Sequence, residues 1–265
     1  MATAMLQEEY NPNPSQDQLR KWETQQNELK TKVIFQDDLD FDPVTLEGLK
    51  YIAGVDLSFP EDNVEQAVAC LVVLEFPSLE VVHRAFLKTR LTLPYIPGFL
   101  AFREVEPILD LLTRLKQSEP HLYPQVVLVD GNGLLHPRQC GIACHLGVVA
   151  DIPTIGSAKN FLAIGKDLVM GQVKQAYKPL LQRRGDRYIL KGQESGVVYG
   201  AALRTTDAAP NPVFVSQGHR ISLETALRIV LAVSRYRIPE PIRRADLDSR
   251  EYIRNTRSSS SSSSS

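Results

Sequence analysis

No apolar run in the 265 residues approaches the ~18–20 residues of a membrane span, so no transmembrane helix is expected. The first residues, MATAMLQEEYNPNP, lack the basic stretch and apolar core of a secretory leader. Cysteine is scarce: Cys70, Cys140 and Cys144 are an odd number and offer no disulfide framework. These shortages predict a reducing, intracellular setting: the cytoplasm, with the nucleus and nucleolus also open. There is no G-x-S-x-G elbow and no P-loop, so serine hydrolysis and NTP binding find no support. The GNG of Gly131 and Gly133 is not a dinucleotide fingerprint. Two cysteines and a histidine, Cys140-x₃-Cys144-His145, lack a second pair and read as a packed helix, not a zinc site. Net charge is −1, so the whole-molecule balance selects no partner. Its distribution is uneven: Gln36 to Glu80 holds eleven Asp/Glu and one Lys, and Lys159 to Lys191 holds eight Lys/Arg and two Asp.

Hydrophobic residues make up 43%, enough for a sizeable core, and no long polar linker divides the chain. One domain over 15–255 is expected, with a flexible 1–14 before it and a disordered serine-rich tail over 256–265. Ser15 with Gln18 suits a helix N-terminus, followed by Leu19, Trp22, Leu29 and Val33 at near-helical spacing. Three strand-like runs follow, KYIAGVDLSF, AVACLVVLEFP and VVHRAFLKTRL, joined by links short enough for hairpins. A helix reaching about Gln117 should begin near Glu104, because Pro107 is tolerated only in a first turn. QVVLVDG, GIACHLGVVAD and IPTIG then read as strand, helix and strand, a βαβ unit. Residues 187–217 alternate strands with glycine turns, and SLETALRIVLAVSRY, capped by Ser222, is the last helix. The fold class is α/β: a mixed sheet flanked by helices.

Two apolar strands carry a carboxylate, Asp56 in IAGVDLSF and Asp130 in QVVLVD. A charge there is expensive unless it is paired or cation-bound. If the two strands are parallel neighbours, both carboxylates meet at one sheet edge, where hard oxygens suit Mg²⁺ or Mn²⁺. Such metals serve phosphodiester cleavage. Turn capping is the ordinary alternative for either residue alone. Gly131 and Gly133 strip the next turn of side chains, so backbone can approach a ligand, although Asn-Gly turns are common anyway.

The segments YIAGVDLSF, LPYIPGFLAFREVEPIL, VLVDGNGLLHPRQCGIACHLGV and IPTIGSAKNFL resemble endonuclease V, in its animal form, over about residues 20–255. The resemblance implies an RNase H-like fold and a Mg²⁺-dependent endonuclease, with Mn²⁺ as a substitute. It implies inosine-containing single-stranded RNA as the preferred partner and deoxyinosine DNA as a weaker one. Cleavage would fall at the second phosphodiester 3′ to the lesion. Asp56, Glu104 and Asp130 would hold metal, and Asp246 in PIRRAD would be a fourth position. Lys159 would contact the scissile phosphate. Tyr95, on a loop stiffened by Pro94 and Pro97 beside Ile96, would fill the gap left by an extruded base. Gly131, Gly133, Leu134 and Gly156 would lie near the base pocket, and His136 near the metal or the attacking water. Two basic tracks are candidates for backbone contact: Lys166, Lys174, Lys178, Arg183, Arg184, Arg187 and Lys191, and then Arg243, Arg244, Arg250 and Arg254.

Three other functions are weighed against this one. A catalytically silent inosine-RNA-binding module would not need the carboxylates. A related RNase H-like nuclease for branched or hybrid duplexes would not need the Tyr95 loop. A receiver-type phosphate-transfer protein would use Asp130 as acceptor, and the hairpin-linked early strands speak against it.

Overall fold

The computed structural model describes residues 13–60 and 65–261, with side chains to residue 256. Helix α1 spans Gln16–Lys30, and Ser15 Oγ caps it by accepting from Gln18 N at 3.2 Å. Strands β1 (Tyr51–Ser58), β2 (Gln66–Glu75) and β3 (Val81–Arg90) form the expected antiparallel succession. After α2 (Leu100–Ser118), strand β4 (Val126–Val129) returns parallel to β1. Helix α3 (Ile142–Ala150) then crosses to β5 (Thr154–Ala158), which is parallel to β4. Helix α4 (Met170–Tyr177) precedes β6 (Arg187–Lys191), β7 (Val198–Leu203) and β8 (Val213–His219), an antiparallel set joined to β5 through β8. Helices α5 (Leu223–Ala232) and α6 (Glu240–Ser261) complete the chain, and the mixed sheet runs β3-β2-β1-β4-β5-β8-β7-β6.

Period-2 alternation decides what each sheet face sees. Ala53 and Val55 of β1, with Val127 and Val129 of β4, pack under α2 and α3 against Ile108, Leu112 and Leu146. Ile52 and Leu128 face the other way, toward Val230, Ile242 and Ala245 of α5 and α6. Each fully buried Val, Leu or Ile among them contributes on the order of 1.5–3 kcal/mol. The same alternation sends Asp56 and Asp130 to the α6 side. Gly54 lets α6 come close, because a Cβ there would run into Pro241 O. Cys140 and Cys144 pack with Leu29, a structural role.

Several boundaries differ from the sequence reading. Helix α2 starts at Leu100, four residues before Glu104, so Pro107 lies inside it. Its first turn is held by packing instead of a side-chain cap: Trp22 stacks on Phe102 at 5.3 Å and lies 5.7 Å from Phe99. Tertiary contact there overrides the proline rule. Helix α5 stops at Ala232, before the expected Tyr236, with Ser234 Oγ donating to Val230 O. The last helix is α6, and its backbone is helical to Ser261, through the first serines of a tail expected to lack structure. Of the expected flexible start, 1–12 lie outside the described residues, as do 262–265 of the tail. Among the described residues, no helix is long and apolar enough to cross a membrane.

Candidate active site

The register Val55↔Val129 places the ends of β1 and β4 side by side, so Asp56 and Asp130 emerge together at one sheet edge. Lys159 follows the end of β5, the next strand over. Helix α2 brings Glu104 from one face and α6 brings Asp246 from the other. Asp56, Glu104, Asp130 and Lys159 line one cavity of about 530 Å³. Asp56, Asp130, Lys159 and Asp246 line a neighbouring one of about 770 Å³, along which Arg250 and Arg254 of the second basic track also lie.

Burial is the main electrostatic fact of this site. It pushes Glu104 up to about 8, with repulsion from Asp56 and Asp130 adding to it and Arg103 opposing it. Asp56 is raised to about 6, by burial first and then by Asp246 and Asp130, against hydrogen bonds from Ser249 and Ser58. Those hydroxyls stand 3.1 and 3.2 Å from Asp56 Oδ2 and 2.7 Å from each other. Lys159 Nζ sits 2.6 Å from Asp130 Oδ2 and 4.0 Å from Asp246 Oδ1. Burial alone lowers the Lys159 pKa, but the Asp130 hydrogen bond and the surrounding carboxylates outweigh it, and the net shift is upward. Asp246 is also paired with Arg250 at 2.7 Å.

Asp56, Glu104 and Asp130 do not form a closed cage. Among the described residues, no three His, Cys, Asp or Glu groups are placed to hold a metal ion. Asp130 is paired instead with Lys159, and Asp56 accepts from Ser58 and Ser249. The donor set nevertheless fits a hard divalent cation, since buried carboxylates raised by desolvation and mutual repulsion are what such a charge relieves.

A side pocket of about 100 Å³ adjoins the carboxylate cavity, sharing Tyr95, Gly131 and Asn132 with it. Tyr95 is 65% exposed at the mouth of both. The loop behind it is tied down at Gly98, whose positive φ of 83° suits glycine. Gly98 O accepts from Gln26 Nε2 (3.0 Å), Arg138 Nη2 (2.6 Å) and His136 Nε2 (3.1 Å). Because His136 Nδ1 accepts from Arg138 N, the proton of the neutral ring sits on Nε2. Burial and then Arg138 hold His136 down at about 4, with the Gly98 hydrogen bond opposing. His136 therefore belongs to the side pocket and the loop anchor, not to the carboxylate cavity where it was expected.

The glycines also divide. Gly131 lines the cavity and the side pocket. Gly133, Leu134 and Gly156 do not: Gly133 is bare because a Cβ would strike Gln217 O, and Gly156 because it backs onto Gly133 N and Gly131 O. They shape the turn from behind. Of the loop residues, Pro97 joins Tyr95 in the side-pocket wall, while Pro94 and Ile96 are half-buried and line neither space.

Sequence reasoning missed Asn132, Gln26, Arg103, Phe59 and Ser249. Asn132 Oδ1 is buried without a hydrogen-bond partner among the described residues. Arg103 stacks on Phe59 at 4.6 Å inside the cavity. Ser249 had a signal, standing one helical turn after Asp246 on the same face. Gln26 had none, because its contacts cross more than seventy residues.

The family model described as Endonuclease V matches residues 27–247. Human Endonuclease V is 46% identical over 243 residues, covering 91% of this chain and 85% of the human protein. The crystal structure of the human catalytic domain superposes with a TM-score of 0.88, covering 92% of this chain and 98% of that one. A Ciona intestinalis Endonuclease V, solved with a 23-mer DNA containing an inosine followed by a ribo-adenosine, is 39% identical with a TM-score of 0.87, covering 92% and 100%.

Proposed function

The chain belongs to the endonuclease V family and is an endonuclease, and from that premise we propose that it cuts single-stranded RNA beside inosine, and the matching DNA more weakly. The cut falls at the second phosphodiester 3′ to the inosine and leaves a 5′-phosphate and a 3′-hydroxyl. One observation carries the reading: three carboxylates and a lysine share a cavity that opens directly into a base-sized pocket beside an exposed tyrosine.

Asp56, Glu104 and Asp130 would hold Mg²⁺, or Mn²⁺ in its place, with Asp246 assisting. When bound, the metal lowers the pKa of a water and neutralises phosphate charge. The chain's own groups do the rest. Lys159 offers its ammonium to the scissile phosphate, where charge develops in the transition state. Tyr95 stacks where the inosine base leaves its neighbours, returning ~1–3 kcal/mol of lost stacking. A single strand spares the few kcal/mol of unpairing that a duplex would demand. In the side pocket a backbone carbonyl of the Gly131–Asn132 turn would accept from hypoxanthine N1–H. Adenine presents an acceptor at N1 and would leave both atoms unpaired, the stronger form of discrimination. The ribo-adenosine following inosine in the Ciona complex supports tolerance of a ribonucleotide at that step.

Cleavage mapping on end-labelled single strands carrying inosine, adenosine or guanosine, with Mg²⁺ titrated, tests this reading. A single product ending at the second linkage, at least about 100-fold faster for inosine than adenosine, is expected. Equal rates on inosine and adenosine would sink the base-pocket assignment.

A further inference from the structure

A groove of about 390 Å³ continues from the catalytic cavity, sharing Lys159, Asn160 and Phe161 with it and no lining residue with the side pocket. Phe214 of β8 forms its floor. Phe161 and Tyr177 stand to either side, with ring centroids 5.4 and 6.1 Å from that of Phe214. Helix α4 supplies one wall as a stripe: Met170, Lys174 and Tyr177 fall at i, i+4 and i+7, on one helical face. Met170 is 52% exposed, apolar surface offered to solvent at the groove mouth. The opposite rim is fixed, because Arg237 Nη2 donates to the carbonyls of Lys159 and Pro212. Among the described residues, the charged ones that line it are Lys159, Lys174 and Arg237, with no carboxylate. The catalytic cavity, by contrast, holds three carboxylates, Asp56, Glu104 and Asp130, beside its two cations, Arg103 and Lys159.

Cations beside aromatic faces, continuous with a phosphodiester-cleaving cavity, are what a single nucleic-acid strand needs as a track. We propose that this groove is a nucleotide subsite. The strand continues past Lys159 with its phosphate near Lys174 and its next base stacked on Tyr177 beside Met170. The assignment rests on the nuclease reading above. The subsite is indifferent to base identity, since every base has a π-face, and it sets how far the substrate must extend on one side of the cut.

Cleavage efficiency on a long inosine strand, and on strands shortened one nucleotide at a time from each end, tests the subsite. Wild-type kcat/KM falls about tenfold at one step from one end, when the nucleotide in the groove is removed. Tyr177→Ala and Lys174→Glu lose about tenfold on the long strand and show no further step, while Tyr177→Phe behaves as wild type. Lys174 is exposed, so its substitution reports on the groove even if Tyr177→Ala disturbs packing. Variants that match wild type on the long strand, or that lose equally on strands too short to reach the groove, overturn the proposal. Binding of an inosine-free single strand, read by fluorescence anisotropy, separates this from the nuclease reading. The two variants should weaken it about tenfold even if no inosine strand is ever cut, and unchanged affinity overturns the subsite.

Discussion

Lys159 Nζ lies 2.6 Å from Asp130 Oδ2, so the ammonium proposed for the scissile phosphate is held by a carboxylate proposed for metal. Asp246 attracts the same ammonium from 4.0 Å, which ties the ends of β4 and β5 to α6. On the proposed function, a substrate phosphate would compete with Asp130 for this lysine and would free that carboxylate as it binds.

Lys159→Met should therefore separate catalysis from stability. Losing a positioned cation at the reacting phosphate lowers kcat by about 100-fold or more. The ion pair is about one-third exposed on the lysine side, so its loss costs only about 1 kcal/mol. Single-turnover rates beside urea denaturation measure both. A variant that keeps its rate would remove Lys159 from the mechanism.

Glu104→Gln should make the metal-free protein more stable while abolishing cleavage. Glu104 is raised from 4.5 to about 8, chiefly by burial. The folded state therefore binds more protons than the unfolded chain between those values, and stability falls as pH rises through that window. Glutamine removes that slope, a difference on the order of a few kcal/mol near pH 8. Urea midpoints of both proteins in EDTA, from pH 5 to 8, give the comparison. Adding Mg²⁺ should raise the wild-type midpoint and leave the variant unmoved.

How much of this was readable in advance follows from what each feature depends on. Alternation in IAGVDLSF and QVVLVD, with short links before and a helix between, is local, and it places Asp56 beside Asp130 correctly. The start of α2 is not local: Pro107 argues for a late start, and the stacking of Trp22 on Phe102, eighty positions apart in the chain, decides for Leu100. The side pocket was half legible. Gly131 lines it as a bare turn should, but Gly133 is bare for Gln217 behind it, and sequence does not distinguish the two reasons. Asp246 was placed by resemblance alone, because the pattern reading ended its last helix at Tyr236 and derived no helix beyond it, where α6 lies.

His145 gives the protein an acid sensitivity unrelated to catalysis. It is buried on α3 against the edge of Phe102 at 5.2 Å, and burial holds its pKa down from 6.5 to about 4. The unfolded chain binds its proton first, so stability present above pH 6.5 is lost as pH falls toward 4. His145→Leu, similar in volume, should flatten the fall in thermal midpoint over that range, removing up to about 3 kcal/mol of pH dependence. An unchanged acid limb would show that the ring is solvated.

Ser249 and Gly54 fix where α6 stands relative to Asp56, and they should fail differently. Ser249→Ala removes a hydroxyl 3.1 Å from Asp56 Oδ2 and leaves α6 packed. Loss of one hydrogen bond to a charged group amounts to ~1.5–3 kcal/mol on the carboxylate, so the Mg²⁺ concentration for half-maximal rate should rise about 10- to 100-fold with kcat nearly kept. Gly54→Ala puts a methyl where Pro241 O now lies, against backbone that has no rotamer to yield. It must displace the start of α6 and with it Asp246, costing ~1–3 kcal/mol and lowering kcat as well as metal affinity. Mg²⁺ titrations of activity and thermal melts on both variants separate positioning of one ligand from displacement of the whole helix. If Gly54→Ala melts and cleaves like wild type, α6 is not held against β1 by backbone contact.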